Sequence, residues 1–270
     1  MAEAVDRAAL YPYCVSLAAI CGRTAEALAI LQFAVKTEGF WYLPEVFENS
    51  ELDELRDESA FQACQALSAQ QYEEARRTAE TVCTWEKKTD ERIALALHGD
   101  GENLTHAEEN WGFLRDRQLE CLQSREPDRW GVYCWEDDSD CWQQIPETCR
   151  KIGWETYKDR TLCGYGAACN AILRAVAHGE TVCETILLYA PWVPVLLTTE
   201  AEPLLHNLKK HGTVLCILCG TEDTECYPQA QQLAREAREA GVDCRTDWIE
   251  GQDHAFPPDL ADRVATVLKL

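Results

Sequence analysis

Residues 161–170 read Thr-Leu-Cys-Gly-Tyr-Gly-Ala-Ala-Cys-Asn. The apolar run 161–164 has the length and composition of a buried strand, and the apolar stretch 170–177 is typical of a helix. Glycines at positions 164 and 166 stand between the two, where the chain must turn sharply. The sequence therefore predicts a strand, a tight turn and a helix in immediate succession.

The same alternation extends over the chain from Arg92 onward. Short apolar runs bounded by glycine and polar residues predict strands at 93–98, 119–123, 161–164, 185–189, 214–219 and 242–249. Amphipathic stretches separate most of these runs. We predict an α/β fold with a mostly parallel sheet and helices on both faces. Ligands of such sheets bind at the carboxyl ends of the strands, so the residues after each run are candidates for a functional site.

Four of the runs end in glycine-containing motifs. In chain order these motifs are His98-Gly99-Asp100-Gly101-Glu102-Asn103, Gly164-Tyr165-Gly166-Ala167-Ala168-Cys169, Leu218-Cys219-Gly220-Thr221-Glu222-Asp223 and Gly251-Gln252-Asp253-His254-Ala255-Phe256. Their order over residues 93–270 resembles the α/β-hydrolases, in which a histidine–glycine loop precedes nucleophile, acid and histidine. The likeness is greatest to small esterases of the carboxylesterase and phospholipase type, including bacterial forms with a tetratricopeptide-like segment in front.

The resemblance implies the acid and the base of a catalytic site. Asp223, three residues after Gly220, stands at the place of the acid, and His254, just after the last strand, stands at the place of the catalytic histidine. Two structural alternatives remain open. Asp223 can cap the helix predicted to start near Pro228, and His254 can be an ordinary surface histidine.

The resemblance also implies an oxyanion hole made of backbone N–H groups. One donor would come from Ala167 and another from the loop Gly99, Asp100 and Gly101. The carboxylate of Asp100 would disfavour an oxyanion unless it turns outward to solvent or caps the next helix.

The chain departs from the esterase pattern at the nucleophile. Where the family has G-x-S-x-G, this sequence has Gly166 at the serine position and Ala168 at the last glycine. No serine occurs from Lys151 to Leu270, so a shifted alignment does not supply one. Glycine suits this turn, because the nucleophile normally adopts a positive φ that costs glycine nothing.

We therefore predict an esterase-like protein that is inactive or weakly active on carboxylic esters and that binds a small ligand or a partner. One alternative is an active hydrolase or lyase in which His254 activates water. Another is a protein-interaction module that recruits a protein through its helical N-terminal domain. No cofactor and no metal is predicted.

Nearby side chains are expected to pack rather than react. Cys169 lies about one helical turn deeper than Gly166, and Tyr165 should face away from the histidine by strand alternation. Cys216 and Cys219 point to opposite faces of one strand, which does not suit a metal site. Cys226 is interpreted as incidental.

The first third of the sequence is predicted to be helical. Apolar and small residues recur at helical spacing over 11–36, with a break at 21–23, which predicts a helical hairpin that resembles one tetratricopeptide unit. We predict a helical domain over 1–88 and an α/β-hydrolase domain over 89–270. The helical domain can offer a groove for a peptide, or it can be a cap packed on the following domain.

An aromatic and acidic insert lies between the second and third predicted strands. It contains three tryptophans, a tyrosine and four acids, namely Trp130, Tyr133, Trp135, Glu136, Asp137, Asp138, Asp140 and Trp142. Part of it resembles a Y-x-W-D-D stretch that lies over the pocket in the esterase relatives. The insert either contacts substrate, with Trp135 as a binding residue, or is a loop anchored by its tryptophans.

Composition excludes several classes of protein. The 270 residues carry 47 acidic and 25 basic side chains, a formal charge of −22, and 46% hydrophobic residues. This content can fill a core, which excludes a mainly disordered chain, and the charge disfavours nucleic acid and anionic membranes as partners. Fifteen cysteines, mostly in apolar segments, and an acidic N-terminus unlike a secretory signal predict a cytoplasmic protein with reduced thiols.

Overall fold

The computed structural model describes residues 2–135 and 140–269. The described residues form two compact units, each with its own buried apolar core. One unit is built from residues 2–80 and 125–133, and the other from residues 81–124 and 134–269. The segment 125–133 groups with the helical unit, although it follows residue 88 along the chain.

The secondary structure alternates as the sequence predicts. The α-helices are α1 (Ala2–Ile20), α2 (Thr24–Gln32), α3 (Pro44–Glu48), α4 (Ser59–Thr78), α5 (Leu104–Trp111), α6 (Gln144–Ile152), α7 (Ala168–Ala177), α8 (Ala201–His211), α9 (Cys226–Glu239) and α10 (Leu260–Leu268). The strands are β1 (Val82–Cys83), β2 (Arg92–Leu97), β3 (Gln118–Gln123), β4 (Glu126–Arg129), β5 (Val132–Cys134), β6 (Asp159–Tyr165), β7 (Thr185–Tyr189), β8 (Val214–Gly220) and β9 (Cys244–Ile249). A π-helix covers Phe33–Thr37, and 3-10 helices cover Ser50–Leu55, Asp140–Gln143, Trp154–Thr156 and Pro194–Leu197.

The larger unit contains a seven-stranded sheet of order β1-β3-β2-β6-β7-β8-β9. Neighbouring strands are parallel except for β1 and β3, which pair antiparallel. The six predicted strands are confirmed as β2, β3, β6, β7, β8 and β9. The structure adds β1, which has only two residues, and the separate pair of β4 and β5.

The central strands are buried on both faces. Residues 93–97 of β2 and 215–219 of β8 are fully buried, because helices cover both sides of a parallel sheet. The register aligns Tyr165 with Tyr189, Tyr189 with Leu218, and Gly220 with Ile249. The loops that follow these strands therefore begin at one edge of the sheet.

The smaller unit begins with the predicted helical hairpin. Gly22 has φ +69° between α1 and α2, a conformation that glycine adopts without steric cost. The ring centroid of Trp130 lies 4.7 Å from that of Phe40. This contact explains why the segment 125–133 belongs to the smaller unit.

One face of α1 carries the exposed apolar side chains Leu10, Tyr13, Leu17 and Ile20. The likeness to a tetratricopeptide unit and a protein partner at this domain stay predictions. None of the described helices has both the length and the apolar character needed to span a bilayer.

Candidate active site

The turn between β6 and α7 has the geometry of a nucleophile elbow. Gly166 has φ +58°, its N–H donates to the carbonyl of Tyr189 at 3.2 Å, and its carbonyl accepts from Trp192 N–H at 3.2 Å. A Cβ on Gly164 would lie 3.1 Å from the backbone nitrogen of Cys169, so the helix can approach the strand only over a glycine. The predicted strand, tight turn and helix are confirmed.

The carboxylate of Asp223 contacts both the start of α9 and the imidazole of His254. It is buried at the start of α9, where its Oδ1 accepts from the backbone N–H groups of Cys226 at 3.0 Å and Glu225 at 3.3 Å. Its Oδ2 lies 2.6 Å from Nδ1 of His254. Burial raises the pKa of Asp223, but the hydrogen bonds from Cys226 and His254 outweigh it and hold the pKa below its ordinary value. The carboxylate is therefore ionised at neutral pH and pairs with the imidazole.

His254 lies in the segment after β9, which the aromatic residues of neighbouring strands hold in place. Tyr165 donates from its hydroxyl to the His254 carbonyl at 3.3 Å, and Tyr189 donates to the Ala255 carbonyl at 2.6 Å. The ring of Phe256 stacks on Tyr189 at 4.6 Å. These contacts fix the backbone at His254 and in the two residues after it.

The second ring nitrogen of His254 is close to Gly166. Because Nδ1 pairs with Asp223, Nε2 is the nitrogen available for proton transfer. A Cβ on Gly166 would lie 3.7 Å from Nε2, and the His254 side chain is 49% exposed. The structure thus brings the three sequence-predicted residues Gly166, Asp223 and His254 together, and their catalytic roles stay predictions.

The prediction that Tyr165 faces away from the histidine is wrong. Its ring centroid lies 4.9 Å from that of His254, and a Cβ on Gly99 would lie 2.5 Å from its Cδ1. Strand alternation holds only while the backbone is extended. The chain leaves that conformation at Gly166, and the histidine segment crosses the end of the sheet, where Tyr165 reaches it.

The oxyanion-hole candidates are only partly available. Within the described part of the chain, the backbone N–H of Ala167 donates no hydrogen bond. The N–H of Gly99, by contrast, donates to Oε2 of Glu102 at 2.7 Å, which closes the loop. The Gly99 N–H is therefore engaged within the loop, and Asp100 and Gly101 stay predicted candidates.

The carboxylate of Asp100 is held by the backbone of Trp135. Its Oδ1 accepts from the backbone N–H of Trp135 at 2.8 Å, and Asn103, not Asp100, caps α5. The Trp135 ring is buried and donates from Nε1 to the His98 carbonyl at 3.0 Å. Trp135 thus stabilises the histidine–glycine loop through hydrogen bonds to Asp100 and His98.

His98 is a buried, neutral part of the same loop. Burial lowers its pKa to about 4, so the ring carries no charge at neutral pH. Nδ1 lies 2.7 Å from the Gly99 carbonyl, and Nε2 accepts from the backbone N–H of Ser124 at 3.1 Å. These two contacts assign the proton to Nδ1 and fix the orientation of the ring.

Cys169 follows the elbow by three residues. The thiol of Cys169 is buried and lies 3.7 Å from the Tyr189 carbonyl, in keeping with the predicted packing role. Burial raises its pKa well above the ordinary value, which disfavours the reactive thiolate.

Sequence reasoning missed the position of Cys226. Its Sγ lies 3.8 Å from Nδ1 of His254, although its thiol was expected to be incidental. The available signal was its spacing, since it follows Asp223 by three residues at the first turn of α9. Asp223, Cys226 and His254 offer three ligand atoms within 4.8 Å of one another, so they are the residues that could hold a metal ion.

The aromatic and acidic insert is divided between the two units. Trp130 belongs to the helical unit, whereas Trp142 stacks on His178 in the other unit, with ring centroids 4.2 Å apart and an angle of 10°. Asp140 begins a 3-10 helix. Glu136, Asp137 and Asp138 lie outside the described residues, so their contact with a substrate stays a prediction.

Comparisons with known proteins agree with this fold. Residues 3–76 match the sequence model described as A/B hydrolase-like, N-terminal domain. A search of curated proteins found no match. In structure, the chain is similar to an uncharacterized protein from Bacillus cereus ATCC 10987, with TM-score 0.60, 22% identity and coverage of 97% of this chain and 86% of that one.

Two similar structures are named as enzymes. Acyl-protein thioesterase 2 of Zea mays has TM-score 0.51 and 16% identity, with coverage of 71% of this chain and 98% of the thioesterase. A carboxylesterase from Mesorhizobium loti has TM-score 0.53 and 16% identity, with coverage of 67% and 90%. Together with the parallel sheet and its elbow, these likenesses show that the chain has the α/β-hydrolase fold.

Proposed function

We propose that this chain is an esterase-like protein that receives a small carbonyl compound beside His254 and lacks covalent catalysis. The observation that carries this proposal is the distance of 3.7 Å between Nε2 of His254 and a Cβ on Gly166. A hydroxyl one bond beyond that carbon would reach hydrogen-bonding distance of Nε2. The general base is therefore in place for a nucleophile that the sequence does not supply.

The remaining groups have defined parts in this proposal. Asp223 holds the orientation and the tautomer of His254. The Ala167 N–H and one N–H from Asp100 or Gly101 would donate hydrogen bonds to the carbonyl oxygen of the ligand. Without a side-chain oxygen at position 166 no acyl intermediate forms, so hydrolysis of esters is absent or slow.

A second candidate is hydrolysis or a lyase-like proton transfer by water that His254 activates. The observation in its favour is the half-exposed imidazole, whose Nε2 faces the space that a nucleophile side chain would fill. A water in that space could lose its proton to Nε2 while it attacks a bound carbonyl. Turnover would be low, because covalent catalysis is missing.

Restoring the hydroxyl tests the proposal. We expect Gly166→Ser to raise hydrolysis of short- and medium-chain p-nitrophenyl esters by about 10²–10⁴-fold, the size of a general-base contribution. The double variant Gly166→Ser with His254→Ala should lose that gain. Gly212→Ser is the matched control, because Gly212 has φ +67° and no atom within 4 Å of an added Cβ at the end of α8.

The outcomes separate the candidates. A folded Gly166→Ser variant that gains no activity would contradict the proposal, because the base and the donors would then not form an acyl-transfer site. Turnover by the unmodified chain that disappears in His254→Ala would favour activated water. The Gly212→Ser variant shows whether any gain comes merely from an added serine at positive φ.

A further inference from the structure

Three side chains with different donor atoms meet beside the elbow. Oδ2 of Asp223 lies 2.6 Å from Nδ1 of His254, Sγ of Cys226 lies 3.8 Å from the same nitrogen, and all three atoms lie within 4.8 Å of one another. Among residues 2–135 and 140–269 this is the one group of three such ligand atoms that converges. It combines a carboxylate, a thiol and an imidazole.

The Cys226 thiol contacts both members of the acid–histidine pair, since it also hydrogen-bonds the Asp223 side chain, and burial together with that carboxylate raises the pKa of the thiol. Asp223 is already satisfied by His254 and by the backbone N–H groups of Cys226 and Glu225. A purely structural role for Cys226 would be that of a small buried apolar side chain. Its Sγ nevertheless contacts a ring nitrogen.

We propose that Asp223, Cys226 and His254 bind a zinc-like divalent cation through one carboxylate oxygen, Sγ and Nδ1. Zinc takes this mixture of donors, and at its usual bond lengths tetrahedral S and N ligands lie roughly 3.5 Å apart. The observed distance of 3.8 Å between Sγ and Nδ1 is close to that value. The oxygen and nitrogen, now 2.6 Å apart, need to separate by less than about 1 Å.

Charge and access also suit a cation. Two anionic ligands, the carboxylate and the thiolate formed on binding, balance a divalent charge, and the whole chain carries −22. The exposed acids Glu222 and Asp253 flank the group in sequence. The half-exposed His254 ring leaves a side through which the ion enters and where water completes its coordination.

Binding would move protons in a defined way. Cys226 releases one proton to solvent, and Asp223 exchanges none. The proton on Nδ1 of His254 transfers through solvent to Nε2, because the metal takes the Nδ1 lone pair. Nε2 then donates instead of accepting, so it cannot take a proton from a group at position 166. This consequence rests on the proposed function, whereas the binding itself does not.

Cobalt is the probe for the binding site. Titration of the full chain with Co²⁺ should give a thiolate-to-cobalt charge-transfer absorption, and Zn²⁺ should remove it by displacement. The chain has fifteen cysteines, so the result is the difference between the chain and its variants. We expect Cys226→Ser and His254→Ala each to lose one equivalent of bound metal, or to bind it at least about 10-fold more weakly.

Cys219→Ser is the control for the loss of a buried thiol. Cys219 is fully buried, and its Sγ lies 3.6 Å from the Gly220 carbonyl, outside the three-ligand group. It should retain the equivalent that Cys226→Ser loses. His254→Ala replaces a half-exposed side chain, so it remains a folded test even if Cys226→Ser unfolds. Equal binding by the chain and His254→Ala would overturn the metal site.

An activity arm tests the consequence separately. In the Gly166→Ser background, Zn²⁺ should lower the esterase rate at least about 10-fold, a chelator should restore it, and addition of Cys226→Ser should abolish that sensitivity relative to the variant's own metal-free rate. Metal binding without inhibition would overturn only the switch of the histidine proton. An inactive Gly166→Ser variant that still binds cobalt through Cys226 would contradict the proposed function and leave the metal site standing.

Discussion

Gly166 directly follows β6 and Gly220 is the last residue of β8, but the surroundings of the two glycines differ. A Cβ on Gly220 would lie 2.2 Å from the carbonyl oxygen of Gln252 and 2.5 Å from that of Asp253. A Cβ on Gly166 would have nothing nearer than His254 Nε2 at 3.7 Å. Packing therefore requires glycine where the acid and histidine loops meet, whereas the elbow has room for a side chain and carries none.

Backbone conformation does not by itself demand glycine at the elbow. Ala190, directly after β7, has φ +44° and is fully buried. The fold thus tolerates a Cβ at positive φ at the neighbouring strand end, at a cost of about 1–2 kcal/mol. Neither close packing nor backbone conformation therefore requires glycine at position 166.

The largest expected effect is at the crowded glycine. Gly220→Ala should lower the free energy of unfolding by at least about 3 kcal/mol, because backbone carbonyls cannot yield as a flexible side chain does. Urea denaturation monitored by circular dichroism measures the change in the free energy of unfolding. A loss below about 1 kcal/mol would mean that the histidine segment is free to shift, and the contrast with Gly166 would disappear.

An intermediate effect on stability is expected at the histidine–glycine loop. Its residue His98 is buried, just as Gly220 is closely packed. The pKa of His98 is about 4 in the folded chain against 6.5 in the unfolded chain. Between these values the unfolded chain binds more protons, so stability falls as pH falls. From pH 7 to pH 5 this group should cost about 2 kcal/mol.

The matched variant His98→Asn isolates that contribution, because asparagine retains a donor and an acceptor without titrating. Urea denaturation of both proteins at pH 7, 6 and 5 gives the two slopes. The variant should lose about 2 kcal/mol less than the unmodified chain over this range. Parallel slopes would show that His98 titrates alike in both states and that the loop is open to water.

What could be predicted at this site depends on whether a contact joins residues that are near or distant in the sequence. The strands and the elbow could be predicted, because apolar runs and glycines are local signals, and the family resemblance implied the pairing of Asp223 with His254. The contact of Tyr165 with His254 could not, since alternation ends at the elbow. The contact of Cys226 with His254 joins positions 28 residues apart, and its one local signal was the spacing of three residues from Asp223.

The segment 125–133 shows a similar limit in the domain organisation. Its strands carry the polar residues Glu126, Asp128 and Arg129, and periodicity gives no signal for them. Its place in the helical unit depends on the packing of Trp130 against Phe40, which lies 90 residues earlier. A contact of this kind is decided by the complementary shapes of two surfaces, not by either segment alone.

The smallest expected effect gives the sharpest test of the comparison between the two glycines. Gly166→Ala adds a Cβ at φ +58° with ordinary contact distances, so only the conformational cost of about 1 kcal/mol should appear. Gly212→Ala, at φ +67° with open space, should cost the same within about 0.5 kcal/mol. Urea denaturation of the two variants in parallel measures the difference. A loss at position 166 that exceeds the loss at 212 by 2 kcal/mol or more would mean that the elbow has no room for a side chain, and a missing nucleophile would then be a requirement of packing.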